Sequence, residues 1–221
     1  MIAGLLQVVL VKIGSTVDTE TGEKIVQLLI MIFQQLKKVT ENGLIAYSGL
    51  CQGLKERVNV KDFGQYILWA LEGEDEDCAR VACGIISDIA SSLKDKVDVY
   101  LSSFVPHLIK ILKSNDHDRR TKLQALCSLG DLCIFAGVPF CQLYLTETLM
   151  ILESAGQLSL KSAEFANDPD IVEYFEELRS NIIDCYNSIV GTVLEAGVKE
   201  EFFKFVPGVL SFLQALAKEQ N

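Results

Sequence analysis

Proline is scarce in this sequence, four residues in 221, and no stretch is rich in glycine, serine or proline. A chain with so little punctuation offers no flexible linker, so one continuous array is expected over 1–221. Histidine is scarcer still: His107 and His117 are the only two. The seven cysteines stand at 51, 78, 83, 127, 133, 141 and 185, with no C-x-x-C among them. Zinc sites need thiolates and imidazoles at tight spacing, so no metal and no cofactor is expected. Stretches such as LQALCSLGDLCIF place thiols among apolar residues, which suits buried free cysteines in a reducing compartment. The chain also lacks a Gly-rich phosphate loop, G-x-S-x-G and H-E-x-x-H, so no catalytic residue is assigned and an enzyme is not expected. A Cys–His nucleophile would need one of the histidines beside a thiol. His117 is expected exposed in the turn 115–118, and His107 at the edge of its helix.

The opening MIAGLLQVVLVKIG has no basic n-region and is shorter than the roughly 18 apolar residues of a membrane span. It reads as an amphipathic helix entered partway, as if the chain continued from something longer. Neither a membrane nor a signal peptide is expected. Acidic residues outnumber basic ones, 30 to 20, for a net charge of −10. Such a field repels phosphate backbones, which argues against nucleic acid, and favours a basic partner; plain solubility is the other reading.

What is abundant is hydrophobic residue, 49% of the chain, arranged with helical period. Over 75–93 the apolar positions are Cys78, Ala82, Ile85, Ile86, Ile89 and Leu93; over 98–113 they are Leu101, Phe104, Val105, Leu108, Ile111 and Leu112. Steps of three and four make one stripe per helix, and no stretch alternates with period two, so an all-α fold is expected. Helices are expected over 2–13, 22–37, 40–57, 60–72, 75–94, 97–114, 118–136, 138–155, 169–196 and 199–218. Short polar turns make neighbours antiparallel. One connection is longer, about 13 residues after Ser154, and ends where Asp168 and Pro169 form an N-cap followed by a first-turn proline.

The helices repeat. ACGIISDIASSL (82–93) aligns with ALCSLGDLCIFA (125–136), bringing Asp88 over Asp131, 43 residues on. AYSGLCQGLKER (46–57) and CYNSIVGTVLEA (185–196) fit the same frame with Gln52 and Gly191 in the Asp position. FVPHLIKIL (104–112) resembles FVPGVLSFL (205–213), with Pro106 and Pro207 both expected inside helices. A period near 40 with two helices per unit indicates a HEAT-repeat α-α superhelix rather than an armadillo one. The expected division is a partial repeat 1–13, hairpins 22–57, 60–94, 97–136 and 138–196, and a partial repeat 199–221. Apolar Val8, Leu10, Phe203 and Leu210 on the end helices are expected to be exposed.

Two acidic clusters stand out. Glu72, Glu74, Asp75, Glu76 and Asp77 would attract a basic helix or simply complement a helix N-terminus. Glu173, Glu176, Glu177, Ser180, Asp184 and Asn187 share one face of the 169–196 helix, opposite Tyr174, Leu178, Ile182 and Ile189; this is either a solvated face or a surface for a basic partner. Asp88 and Asp131, inside apolar helix faces, are expected to bond to a neighbouring turn or repeat.

DIVEYFEELRSNIIDCYNSIVGTVLEAG (170–197) and the hairpin succession from Cys83 to Phe140 resemble the importin-β, or karyopherin-β, family, over roughly 22–197 and in its later, C-terminal part. The resemblance implies a nuclear transport receptor, cytoplasmic and nuclear, working at the nuclear pore. Its implied partners are importin-α through a basic segment, or basic cargo; Phe-Gly nucleoporins; and the GTPase Ran through the full-length receptor. It places second helices on the concave face, so that Glu173, Glu176, Glu177 and Asp184 would receive the basic segment. Tyr66, Trp69, Phe104 and Leu108 on convex first helices are either core or a Phe-Gly slot. The alternative is a HEAT scaffold of another complex, phosphatase or chromosome-associated.

Overall fold

Short polar side chains set the helix starts. In the computed structural model, which describes residues 2–165 and 167–219, Asp18, Thr40, Asn59, Asp75 and Asp168 each accept a hydrogen bond from the backbone amide three residues on. Such caps satisfy amides that the helix itself leaves without a partner. The helices are α1 (Ile2–Ile13), α2 (Thr19–Leu36), α3 (Glu41–Leu54), α4 (Val60–Glu72), α5 (Glu76–Leu93), α6 (Leu101–Lys113), α7 (Arg119–Ala136), α8 (Val138–Ser159), α9 (Pro169–Val193), α10 (Lys199–Phe203) and α11 (Val206–Glu219). No strand occurs among the described residues. The expected Asp168 cap with Pro169 in the first turn of α9 is present.

Three expectations need correction. The stretch 97–114 is not one helix: Lys94–Tyr100 is 3-10, and α6 begins at Leu101. The stretch 199–218 breaks at Lys204 and Phe205 into α10 and α11, so Pro207 occupies a first-turn position of α11, where its missing N–H breaks no helical bond. Pro106 is inside α6, as expected. The connection before α9 is shorter than expected because α8 runs to Ser159 and a 3-10 turn, Ser162–Phe165, follows.

Contacts divide the chain into two compact units, 1–128 and 129–221. In the first, α1, α3 and α5 pack in succession, and Ser128 of α7 donates to the Cys83 carbonyl of α5 at 2.7 Å. The partner layer is α2, α4 and α6, with α4 on α6 and Phe33 of α2 against Phe63 and Tyr66 of α4. Tyr47 of α3 stacks on Phe63 at 3.7 Å between centroids, and its buried hydroxyl donates to the Asn59 carbonyl at 2.9 Å. Burial pushes that phenol well above its usual range.

Glycines bring the second layer close. A Cβ on Gly53 of α3 would overlap the Leu10 carbonyl oxygen of α1, and one on Gly49 would meet Gln7 Cα at 2.8 Å. This approach buries Leu10 to 4% exposure, against the expectation for an end helix; Val8, Phe203 and Leu210 are exposed, as expected. Leu28, Met31, Ile32 and Leu36 form a further exposed stripe on α2.

A polar ladder crosses the same layer. Gln7 Nε2 donates to Ser48 Oγ at 3.2 Å, Ser48 Oγ to Asp88 Oδ2 at 2.6 Å, and Gln52 Nε2 to Asp88 Oδ1 at 2.9 Å. Gln52, which breaks the Asp pattern of the repeat, is a donor to the next repeat's Asp. Asp131 makes no such bond among the described residues. The turns repeat too: Lys55, Lys94 and Gly137, which follow α3, α5 and α7, share φ near +55 and ψ near −125 (53/−128, 54/−129 and 61/−122).

In the second unit α8 and α9 form a hairpin, with α10 and α11 packed on α8. Arg179 of α9 donates to the Ser159 carbonyl at 2.7 Å and to Ser162 Oγ at 2.8 Å, and Phe165 meets Phe175. One guanidinium thus holds the long connection against the helix it leads into.

Gly53→Ala is expected to destabilise the chain by about 1–3 kcal/mol, since backbone cannot yield as a side chain does. Gly64→Ala in α4, where a Cβ meets nothing within 4 Å, is expected to stabilise by about 0.5–1 kcal/mol. Urea unfolding followed by circular dichroism checks both. In the same assay Asp88→Ala is expected to cost about 1–3 kcal/mol, because the buried Ser48 hydroxyl loses its acceptor, while Asp131→Ala stays within about 0.5 kcal/mol.

Candidate partner-binding surface

The acidic run 72–77 is largely consumed by local structure. Asp75 caps α5, and the Cys78 amide that donates to it holds its carboxyl below the usual carboxylate range. Asp75 also faces Lys38 at 3.5 Å, and Asp77 pairs with Arg80. Glu72 Oε1 lies 3.1 Å from His107 Nε2; Glu76 meets His117 Nδ1 at 2.8 Å and accepts from the Asp118 amide at 3.1 Å. His117 is therefore not exposed as expected: its side chain retains 15% exposure, tucked against a carboxylate 41 residues earlier in the chain. These carboxylates cap helices and tie one turn to the next.

The acids of α9 are different. Glu173, Glu176, Glu177 and Asp184 are all exposed, together with Ser180 and Asn187. The helix is turned this way because Phe175, Leu178, Ile182, Cys185 and Ile189 are buried on its other side. Steps of three and four align the acids along one face. No partner among the described residues meets these four carboxylates, so their field acts outward.

The aromatic candidates are mostly core. Tyr66, Phe104 and Leu108 have 6%, 1% and 0% exposure, so they have no open surface to offer a ligand as placed; Trp69, at 46%, does. Trp69 lies beside Tyr66 with the rings tilted by 38° and their centroids 6.4 Å apart.

Apolar residues that the sequence reading passed over continue the α9 face. Leu194, 71% exposed, just beyond the C-terminal end of α9, and Ile134, 52% exposed on α7, occupy the same frame position of the aligned segments 125–136 and 185–196; Val190 is exposed beside Leu194. The repeat alignment held that signal, since the equivalent positions in the two earlier segments are Lys55 and Ser91.

None of the seven cysteines is in a disulfide, and all but Cys127 are buried. No group of three or more His, Cys, Asp or Glu among the described residues is placed to hold a metal ion. No helix is long and apolar enough to cross a membrane among the described residues.

Comparison with known proteins bears on this surface. Importin subunit beta-1 of Arabidopsis thaliana is 25% identical over 229 residues, covering 100% of this chain and 26% of that protein. Importin subunit beta-1 of Schizosaccharomyces pombe is 28% identical over 198 residues, covering 87% of this chain and 22% of its own length. The chain thus spans about a quarter of the length of the curated relatives it matches. A crystal structure of importin beta in ammonium sulfate shares the fold, with TM-score 0.82 and 22% identity over 96% of this chain and 24% of that one. Kap95p bound to RanGDP (TM-score 0.74, 20% identity, 96% and 25% coverage) and Kap95 in complex with Nup1 (0.70, 20%, 89% and 23%) share it as well. The architecture is therefore that of the importin-beta HEAT-repeat solenoid. The family described as importin subunit beta-1-like, TPR repeats, matches residues 1–221 in full, and the chain belongs to it.

Proposed function

We propose that this chain is part of a nuclear transport receptor, and that the exposed face of α9 receives a Lys/Arg-rich segment of importin-α or of basic cargo. One observation carries the reading: in a chain that matches the importin-beta family over all 221 residues, four carboxylates lie unopposed along one face of a long second helix. The match over the whole length also supports reading 1–221 as one array of hairpins. On this reading the protein is a binding module rather than an enzyme, and it moves between cytoplasm and nucleus through the pore.

An exposed ion pair contributes only about 0–1 kcal/mol, so affinity must come from several pairs acting together with buried Lys and Arg stems. Contacts to Ran and to Phe-Gly nucleoporins belong to the same proposal; the support is that Kap95p is found with RanGDP and Kap95 with Nup1. Among the four candidate Phe-Gly residues, Trp69 alone has the exposure to meet a phenylalanine directly, and contact through Tyr66, Phe104 or Leu108 would require the first helices to part.

Replacing Glu173, Glu176 and Glu177 together by Lys is expected to weaken binding of a basic importin-α segment at least tenfold. The parent interaction is expected to weaken steeply between 50 and 300 mM salt, as screening shortens to below roughly 10 Å. Fluorescence anisotropy of a labelled basic peptide measures both, and circular dichroism shows whether the reversed chain keeps its helices. Unchanged affinity in a folded variant would mean that the acids are a solvated face.

A further inference from the structure

The turn between α7 and α8 holds two thiols that nothing above uses. Cys133 Sγ and Cys141 Sγ lie 4.0 Å apart, within sulfur hydrogen-bond range, and the two residues retain 0% and 2% exposure. Cys133 is in the last turn of α7 and Cys141 in the first turn of α8. The backbone between them is held by Gly137, whose amide donates to the Cys133 carbonyl at 3.0 Å and whose carbonyl accepts from the Cys141 amide at 3.2 Å. Gly137 has φ +61, a conformation that leaves the turn tight without side-chain strain. Two helix ends bound in this way hold the sulfurs close, about 2 Å beyond the roughly 2.05 Å bond of a disulfide.

We propose that Cys133 and Cys141 are a redox-responsive pair that closes to a disulfide on oxidation by a peroxide and locks the α7–α8 turn. The sulfur oxidised first is that of Cys141. It sits at a helix N-terminus, where partial positive charge favours the thiolate, and the Cys133 S–H that donates to it pulls its pKa below the usual thiol value. The Cys141 thiolate attacks hydrogen peroxide: an S–O bond forms, the O–O bond breaks, and hydroxide leaves and takes a proton to become water. Cys133 sulfur then attacks the sulfenic acid; an S–S bond forms, the S–O bond breaks, and the departing hydroxide leaves as water with the Cys133 proton. Overall two thiols and one peroxide give one disulfide and two waters.

The consequence reaches α9. Thr192 of that helix lies against this turn, since a Cβ on Gly137 would sit 3.8 Å from its Cγ2, and Cys185 lies against α7 just before it, where a Cβ on Gly130 would sit 3.7–3.8 Å from the Cys185 Cα, Cβ and Sγ. A locked α7–α8 turn is a stiffer support for the helix that carries the acidic face. Cys185 is a competing thiol, since it too lies near Cys133.

The experiment treats the intact chain with a small excess of hydrogen peroxide, alkylates the remaining thiols after unfolding, and maps peptides by mass spectrometry. The expected product is a Cys133–Cys141 linkage with the mass of two hydrogens lost. It should form in Cys185→Ser and be absent from Cys133→Ser and Cys141→Ser. The melting temperature of the oxidised chain should rise by several degrees and fall back with dithiothreitol. Thiols that stay alkylatable, a linkage to Cys185 instead, or a disulfide that leaves the melt unmoved would overturn the proposal. The mapping is done on the unsubstituted chain, so it decides the question even where a serine variant fails to fold.

Discussion

A helical hairpin with apolar stripes on both of its helices cannot bury them alone, and everything else in this molecule follows from that constraint. In the first unit the solution is second helix upon second helix, drawn together until backbone nearly touches backbone at Gly53 and Leu10. So close an approach leaves little room for bulky side chains between α1 and α3. Polar groups fill the rest of the seam, where Ser48, Gln52 and Asp88 satisfy one another across two repeats. Burial of the apolar stripes supplies the driving force, and the ladder fixes the register, since a hydroxyl buried to 7% exposure must find its acceptor or lose stability.

Much of this was legible in the sequence, and the exceptions have physical causes. Helix positions followed from apolar spacing because each helix buries one stripe, and the α9 start followed from Asp168 and Pro169 because capping is local. What depended on residues some 40 positions away was hidden. Gln52 looked like a lapse in an Asp pattern; only the neighbouring repeat shows it donating to Asp88. His117 looked like a turn residue until Glu76 closed on it. Leu10 was expected at a bare end, and the absence of a side chain at Gly53 is what buries it.

The candidate surface divides in the same way. Periodicity alone put Glu173, Glu176, Glu177 and Asp184 on one face of α9, because a helix with a buried stripe must turn its other side outward. For the first helices the same logic failed. These helices pack against a partner helix and against a neighbour in their own layer, so Phe104 and Leu108 are enclosed from both sides and Trp69 alone keeps substantial exposure. The acidic run 72–77 shows the converse: a dense charge cluster most of whose members are spent on a cap, a pair within α5 and cross-repeat contacts. The density of carboxylates along the chain therefore says less about a partner than whether each carboxylate already has one.

The central claim is that the exposed α9 face is where a basic segment lies. A photo-crosslinking residue at Ser180, exposed in the middle of the acidic row, tests it directly against the same residue at Gln157, exposed on α8. With a biotinylated Lys/Arg-rich importin-α peptide, the account predicts strong capture at Ser180, lost as salt is raised, and little at Gln157. Equal capture at the two positions, or capture at Gln157 alone, would contradict it.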